Sequence, residues 1–292
     1  MQLLSPHAKD LGGGFTVRRL LPSAARQAVG PFVFFDHFGP IEARPQDNHD
    51  VRPHPHIGLA TVTYLFEGAM MHRDSMGVVQ RIEAGAVNWM TAGRGVVHSE
   101  RTPDELRAVP RRSHGLQLWA ALPPAEEDGP CSFSHTPATD IPCWRGDGVQ
   151  ARVLVGSAFD LRSPVPACSP TLYLDMSLSR GADVALPAQW AVERAVYLVD
   201  GALRIGDEDL PPHVLAVLPE GVELRATARQ DTRCVVIGGS PLGHRHLWWN
   251  FVASDRQRIV DAAQAWAGQP NERFPQVPGE SDFIELPARL PV

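Results

Sequence analysis

Residues 54–66 have the sequence HPHIGLATVTYLF, and this stretch indicates the fold. It begins with two histidines two positions apart, passes through a glycine, and continues as an apolar, β-branched run that is typical of a buried strand. A second pair with the same spacing, His98 and Glu100, follows later in the chain. Side chains two apart on a strand point to the same face, so each pair can direct two ligand atoms at one point.

Short β-like runs continue on both sides of this stretch, separated by many of the 25 glycines and 27 prolines. Frequent turns between short strands favour a sandwich or barrel over alternating strands and helices. The runs lie at 15–21, 32–35, 60–66, 78–82, 87–90 and 115–122, and then at 151–155, 171–178, 195–199, 214–218 and 234–239. We therefore predict an all-β chain with two tandem domains, at 1–122 and 151–292, joined by a Pro-rich linker or crossover at 123–150.

Helix signals are few. Ser254-Asp255-Arg256-Gln257 fits a capping box, and apolar residues at helical spacing follow it until Gly268. This pattern predicts a short C-terminal helix over 255–267. Thr102-Pro103-Asp104-Glu105 is a second capping-box match, with proline at the first helical position, and it predicts a sharp turn of the chain just after Glu100.

The composition excludes several classes of protein. With 43% apolar and 21% charged residues the chain is an ordinary globular protein, and it has no run of about 18 apolar residues to span a bilayer. A net charge of −6 provides no electrostatic basis for direct nucleic-acid binding. The N-terminus does not resemble a signal peptide, so we expect a cytoplasmic protein without a membrane partner. Its four cysteines match no zinc pattern and are expected to be reduced.

The two spaced pairs together predict a metal site formed by His54, His56, His98 and Glu100. Three imidazoles and one carboxylate suit a first-row divalent metal and leave one or two positions open, which is typical of catalytic sites. Iron, manganese, cobalt, nickel, copper and zinc all satisfy this donor set. A further pair, His244 and His246, has no second pair at a suitable spacing, and we interpret it as unrelated to metal binding.

The second domain is predicted to be metal-free, because His213 is the only histidine within residues 170–240. Near the predicted site, Gly93-Arg94-Gly95 is interpreted as a tight turn that delivers His98 to the barrel interior, since it lacks the following lysine and helix of a phosphate loop. His72 and Asp74 are interpreted as part of a solvated loop.

Several stretches resemble one known family, the pirins, which are bicupin proteins of the cupin superfamily. The matching stretches are GPF at 30–32, FDHFGP at 35–40, HPHIG at 54–58, TVTYL at 61–65, EG at 67–68, HRDSMG at 72–77, WMTAGRGVVHSE at 89–100 and LQLW at 116–119. The resemblance implies two cupin (jelly-roll) β-barrels, with one metal, usually iron, in the N-terminal barrel. It also implies the same four ligands that the spacing indicates.

Some bacterial pirins are similar to quercetin 2,3-dioxygenases, which open a flavonol ring with O2. The resemblance therefore implies an oxygenase at a mononuclear iron(II) site, with a flavonol-like small molecule and O2 as its substrates. In this interpretation Glu100 is both ligand and general base. Other pirins act as regulators, so the alternative is a redox-sensing metal-binding protein that acts through a protein partner. A purely structural metal is a third interpretation, although structural sites usually close their coordination with cysteine.

Overall fold

The computed structural model describes residues 1–11 and 15–288, and strands dominate it. The strands are β1 (Gln2–Leu4), β2 (His7–Asp10), β3 (Thr16–Leu21), β4 (Phe32–Ala43), β5 (Val51–His56), β6 (Leu59–Glu67), β7 (Ala69–Asp74), β8 (Val79–Glu83), β9 (Val87–Thr91), β10 (Val96–Arg101), β11 (Arg111–Ala121), β12 (Ser132–Thr136), β13 (Cys143–Gly146), β14 (Val149–Val155), β15 (Ser157–Ala158), β16 (Leu161–Arg162), β17 (Thr171–Leu178), β18 (Asp183–Leu186), β19 (Glu193–Asp200), β20 (Leu203–Ile205), β21 (Glu208–Leu210), β22 (Leu215–Val217), β23 (Leu224–Ala228), β24 (Thr232–Gly239), β25 (His246–Trp248) and β26 (Phe251–Ala253). Two α-helices, α1 (Asp104–Arg107) and α2 (Arg256–Ala267), and one 3-10 turn (Ala188–Trp190) complete the secondary structure of the described residues. The predicted all-β fold with a short C-terminal helix is confirmed.

The chain divides into two compact units. The 139–241 unit comprises Thr139–Pro241 with the segments Met1–Lys9 and Arg18–Asp36, and the 37–138 unit comprises His37–Ala138 with Asp10–Val17 and the chain from Leu242 onward. This division differs from the contiguous domains predicted at 1–122 and 151–292. Strand pairing joins residues that are distant in sequence, and hydrophobic periodicity does not indicate which strands will pair.

The 139–241 unit contains a seven-stranded sheet in the order β1-β22-β19-β24-β17-β14-β13 and a four-stranded sheet in the order β18-β23-β20-β21. Alternate residues of the long strands, such as Val196 and Leu198 on β19, enter one apolar core together with Val184 and Leu203 from the smaller sheet. The period-two alternation of side chains across a strand produces this arrangement.

The 37–138 unit contains the four-stranded sheet β5-β10-β7-β8 and the strands β12, β9, β6 and β11 of a seven-stranded sheet, whose full order is β12-β9-β6-β11-β4-β3-β2. The predicted linker or crossover at 123–150 contributes β12 to the edge of this large sheet and β13 to the sheet of the 139–241 unit. Strand β10 lies in the interior of the smaller sheet, between β5 and β7.

Helix α2 begins one residue later than the capping box predicts. The side chain of Asp255, not Ser254, accepts a hydrogen bond from the Gln257 backbone N–H at 2.9 Å. The buried face of α2, which includes Trp266, packs against Phe251 and Phe274. Helix α1 begins after Pro103, which occupies the N-cap without a side-chain capping bond, so the predicted capping box is wrong there too. Neither helix of the described residues is long and apolar enough to cross a membrane.

Glu127 connects this terminal region to the rest of the 37–138 unit. Its buried carboxylate accepts hydrogen bonds from the Ser254 backbone N–H at 2.8 Å and from the Ser254 hydroxyl at 2.9 Å. It also lies 3.4 Å from the buried guanidinium of Arg245. Replacing such a carboxylate with a neutral side chain is costly, because the buried cation beside it then loses its counter-charge.

We expect Glu127→Gln to lower the free energy of unfolding by about 3 kcal/mol, because it removes one charge of a buried ion pair. Urea denaturation followed by circular dichroism measures this loss. Asp128→Asn is the matched control: Asp128 pairs with Arg258, but its side chain is 68% exposed, so its loss is expected to cost less than about 1 kcal/mol. Equal stability losses in the two variants would contradict the proposed role of Glu127.

Candidate metal centre

The pairing of β5 with β10 brings three of the predicted ligands together. His98 lies directly opposite His54 in this antiparallel pair, and His56 lies opposite Val96. The imidazole ring centres are 4.4 Å apart for His54 and His98, and 5.0 Å apart for His56 and His98. One ligand nitrogen from each of the three buried histidines falls within 4.8 Å of the other two. Among the described residues they form the group that can hold a metal ion.

Hydrogen bonds fix how these rings are oriented. The Nδ1 atom of His54 lies 2.9 Å from the Arg52 carbonyl oxygen, and that of His56 lies 3.0 Å from the Asn250 carbonyl oxygen. A carbonyl can only accept, so each Nδ1 carries the proton and each Nε2 keeps its lone pair. The Nε2 atoms of His56 and His98 are 3.1 Å apart. Two nitrogens that bind one ion at right angles with bonds of about 2.1 Å are separated by about 3 Å, so these atoms fit a shared ion.

Burial keeps the three imidazoles neutral. Desolvation lowers the pKa of His54 from its usual 6.5 to about 4 and outweighs the hydrogen bond to the Arg52 carbonyl. The pKa values of His56 and His98 are also held well below 6.5, first by desolvation and then by the neighbouring imidazoles. Only a neutral imidazole offers a lone pair to a metal. The donor set is therefore ready to bind a divalent ion near neutral pH.

Glu100 lies on the same strand, beyond an irregularity in the β5–β10 register between His98 and Glu100. Its Oε1 atom is 3.3 Å from the Thr63 hydroxyl, which is also 2.9 Å from Oε1 of Gln117. Burial raises the pKa of Glu100 to about 7, although the Thr63 hydrogen bond opposes this shift. Its carboxylate is not part of the group of mutually close ligand atoms. Glu100 as the fourth ligand remains a prediction.

The loop interpretation of His72 and Asp74 is wrong. Both residues are buried on β7, where Asp74 lies opposite His98 and His72 lies opposite Glu100. The His72 ring stacks on Phe133, with ring centres 4.5 Å apart and planes 26° apart. The isolated stretch HRDSMG is polar enough for a solvated loop, and the burial of His72 and Asp74 accompanies the pairing of β7 with β10.

Three glycines shape the backbone around the cluster. Gly93 has φ of +50°, and a Cβ there would lie 2.1 Å from the Gly129 carbonyl oxygen. The Gly95 N–H closes the turn by donating to the Ala92 carbonyl at 2.9 Å, so the predicted tight turn before His98 is confirmed. Gly58, with φ of +65°, allows the Val252 carbonyl oxygen to approach where a Cβ would be 2.0 Å from it. This close approach lets β26, which contains Val252, contact the chain next to His56 at the end of β5.

Other candidate residues lie outside the cluster. His244 and His246 are near each other, with ring centres 5.0 Å apart, but they do not belong to the metal-binding group found among the described residues. All four cysteines are free thiols, as predicted. Reasoning from the sequence missed Thr63 and Asn250. Thr63 is a polar residue within an apolar strand, which is a usable signal, whereas Asn250 contributes a backbone carbonyl and has no side-chain signature.

Comparison with known proteins finds similarity along most of the chain. Residues 14–120 match the family model described as Pirin, and residues 173–272 match the one described as Pirin C-terminal cupin domain. A pirin-like protein of Caulobacter vibrioides is 42% identical over 283 residues, covering 96% of both chains. Pirin of Rattus norvegicus is 37% identical over 259 residues, covering 86% of both.

A similar solved structure is that of quercetin 2,3-dioxygenase from Acinetobacter baumannii. It superposes with a TM-score of 0.91 and 33% sequence identity, covering 99% of this chain and 95% of the other. The predicted arrangement of two cupin domains agrees with these matches.

Proposed function

Because the chain belongs to the pirin family, we propose that it is a metal-dependent oxygenase of the quercetin 2,3-dioxygenase type, which cleaves a flavonol with O2. The observation that supports this proposal best is the group of three buried, neutral imidazoles with ligand nitrogens within 4.8 Å of one another. Three protein nitrogens leave coordination positions open for a substrate, which is typical of catalytic rather than structural sites.

The residues proposed to hold the metal are His54, His56, His98 and Glu100, and iron(II) is the proposed metal. The donor set alone also accepts manganese, cobalt, nickel, copper or zinc. When bound, such an ion supplies Lewis acidity toward the flavonol oxygen and, for a redox-active metal, electron exchange with O2.

Glu100 is proposed to take the hydroxyl proton of the flavonol. Burial raises its pKa to about 7, which is close to the value at which a general base works best near neutral pH. Its Oε1 atom accepts a hydrogen bond from the Thr63 hydroxyl. We therefore propose that Oε2, which lacks that contact, accepts the flavonol proton. Removal of this proton makes the flavonol more electron-rich and therefore more reactive toward O2.

The surrounding side chains exclude water from this site. The Trp119 ring lies edge-on to His56, with ring centres 5.1 Å apart, and only 7% of Trp119 is exposed. The three histidines are each at most 6% exposed. A site with little water strengthens the electrostatic interactions within it and protects reactive species from hydrolysis.

We expect the purified, iron-loaded protein to consume O2 when quercetin is added, with equimolar loss of the flavonol. Metal analysis establishes the iron content first, and an oxygen electrode together with the flavonol absorbance then measures turnover. The same protein after metal removal, and again after iron is restored, provides the control. No O2 uptake by fully iron-loaded protein would contradict the proposed oxygenase activity and leave the redox-sensing alternative.

A further inference from the structure

A buried histidine and a buried carboxylate lie directly behind one of the three clustered imidazoles. The Nδ1 atoms of His98 and His72 are 3.3 Å apart, and His72 Nε2 is 2.9 Å from Asp74 Oδ2. His72 and Asp74 are 5% and 0% exposed. The three side chains therefore form a continuous hydrogen-bonded chain that ends at His98 Nε2, the atom that faces the cluster.

Asp74 determines which atom donates and which accepts in each of these hydrogen bonds. The backbone N–H groups of Met76 and Val78 donate to its Oδ1 at 2.9 and 3.1 Å, which holds Asp74 as an anchored carboxylate. A carboxylate oxygen accepts from His72 Nε2–H, and a neutral His72 then keeps its lone pair on Nδ1. His98 must then donate from Nδ1, which leaves the lone pair on its Nε2 atom.

This arrangement distinguishes His98 from the other two imidazoles. His54 and His56 donate from Nδ1 to neutral backbone carbonyls, of Arg52 and Asn250 respectively. His98 is connected instead, through one imidazole, to the carboxylate group of Asp74. A carboxylate behind a ligand histidine raises the basicity of the nitrogen that faces the metal and fixes the ring in one orientation.

We propose that Asp74 and His72 are positioning residues that hold His98 in its metal-binding tautomer and make it the most strongly donating imidazole of the cluster. This inference rests on the proposed function only in requiring that a metal binds at the three histidines. A more basic ligand nitrogen stabilises the higher oxidation state of a bound iron. The pair therefore tightens metal binding and lowers the iron(III)/iron(II) midpoint potential.

Asp74→Asn tests this proposal because it exchanges donor and acceptor in each hydrogen bond that joins residue 74, His72 and His98. The carboxamide oxygen introduced by this substitution accepts the two backbone N–H groups, so the carboxamide nitrogen faces His72 and requires a lone pair on Nε2. His72 then carries its proton on Nδ1, and His98 must place its own proton on Nε2, where it opposes metal binding. We expect the dissociation constant for Co²⁺, measured by competition with a chelator in the full-length protein, to rise about 10- to 100-fold.

His72→Phe is the second variant. It keeps a ring that can stack on Phe133 but removes both hydrogen bonds, so it should weaken Co²⁺ binding by a similar factor even if Asp74→Asn folds poorly. In both variants loaded with iron, a potentiometric titration followed by electron paramagnetic resonance should show a higher midpoint potential than in the wild type.

Asp175→Asn provides the matched control. Asp175 is also a buried carboxylate, but it pairs with Arg233 in the 139–241 unit, at 2.6 Å. We expect this variant to lose thermal stability without a change in Co²⁺ affinity. Wild-type Co²⁺ affinity and midpoint potential in both His72→Phe and Asp74→Asn would overturn the proposal, whatever their melting temperatures. These measurements use no flavonol, so a failure of quercetin turnover would overturn the oxygenase assignment alone.

Discussion

Replacing His98 with alanine is expected to weaken metal binding at least 100-fold and to reduce quercetin-dependent O2 consumption to background. His98 supplies one of three convergent nitrogens and lies opposite His54, so its removal leaves only two of the three clustered nitrogens for the ion. Loss of a residue that only supports a ligand costs about 10- to 100-fold in affinity, and loss of the ligand itself should cost more. Metal content after dialysis and the rate of O2 uptake measure the two effects.

His244→Ala is the control for this variant, because it removes a histidine from the other closely spaced pair of the same unit. His244 is exposed and lies outside the cluster, so the variant should retain wild-type metal content and activity. Circular dichroism and thermal melting establish that His98→Ala remains folded. Full metal content in folded His98→Ala would contradict the proposed site.

Replacing Glu100 with glutamine is expected to separate turnover from metal binding. The amide is nearly the same size and still presents an oxygen to Thr63, but it cannot accept the flavonol proton. General-base catalysis is worth about 10²- to 10⁴-fold, so we expect a loss of kcat in that range. The three histidines remain and the amide oxygen can still face the ion, so metal affinity should fall less than it does in His98→Ala. Steady-state O2 uptake and metal analysis of the same preparation test both expectations.

Glu83→Gln is the matched control for the Glu100 variant. Glu83 is an exposed carboxylate on β8, in the same small sheet as β10, and its replacement should leave both kcat and metal content unchanged. Full activity in Glu100→Gln would refute its role as the base. Equal losses of metal and activity would also refute that role and would make Glu100 a ligand without a separate catalytic contribution.

The strands and the three-histidine cluster could be predicted from local patterns. Period-two alternation and β-branched runs indicate strands directly, and the spacing of His54 and His56 places both side chains on one face of β5. The turn at Gly93 could also be predicted, because glycine is the residue that adopts a left-handed backbone conformation without strain. These features depend on residues within a few positions of one another, so no knowledge of the tertiary structure is needed.

The cap of α2 and the surroundings of Glu100 could not be predicted in the same way. Ser254 is an equally good capping residue in isolation, but its hydroxyl and backbone N–H are both bound to Glu127, and Asp255 caps the helix instead. The contact between Thr63 and Glu100 joins two strands of different sheets. Which residue caps the helix and which group contacts Glu100 depend on which of several partners is near in space. Sequence spacing does not contain that information.

The sequence by itself therefore determined the class of fold, the family and the three histidines, because side-chain periodicity, turn chemistry and motif spacing are local properties. The tertiary structure alone decided that the segment after Leu242 joins the unit that holds the cluster and that Asn250 orients His56. It also decided that His72 and Asp74 are buried behind His98 rather than solvated. The physical reason is that strand pairing determines which distant backbone carbonyls and carboxylates become neighbours, and those neighbours determine where each imidazole carries its proton.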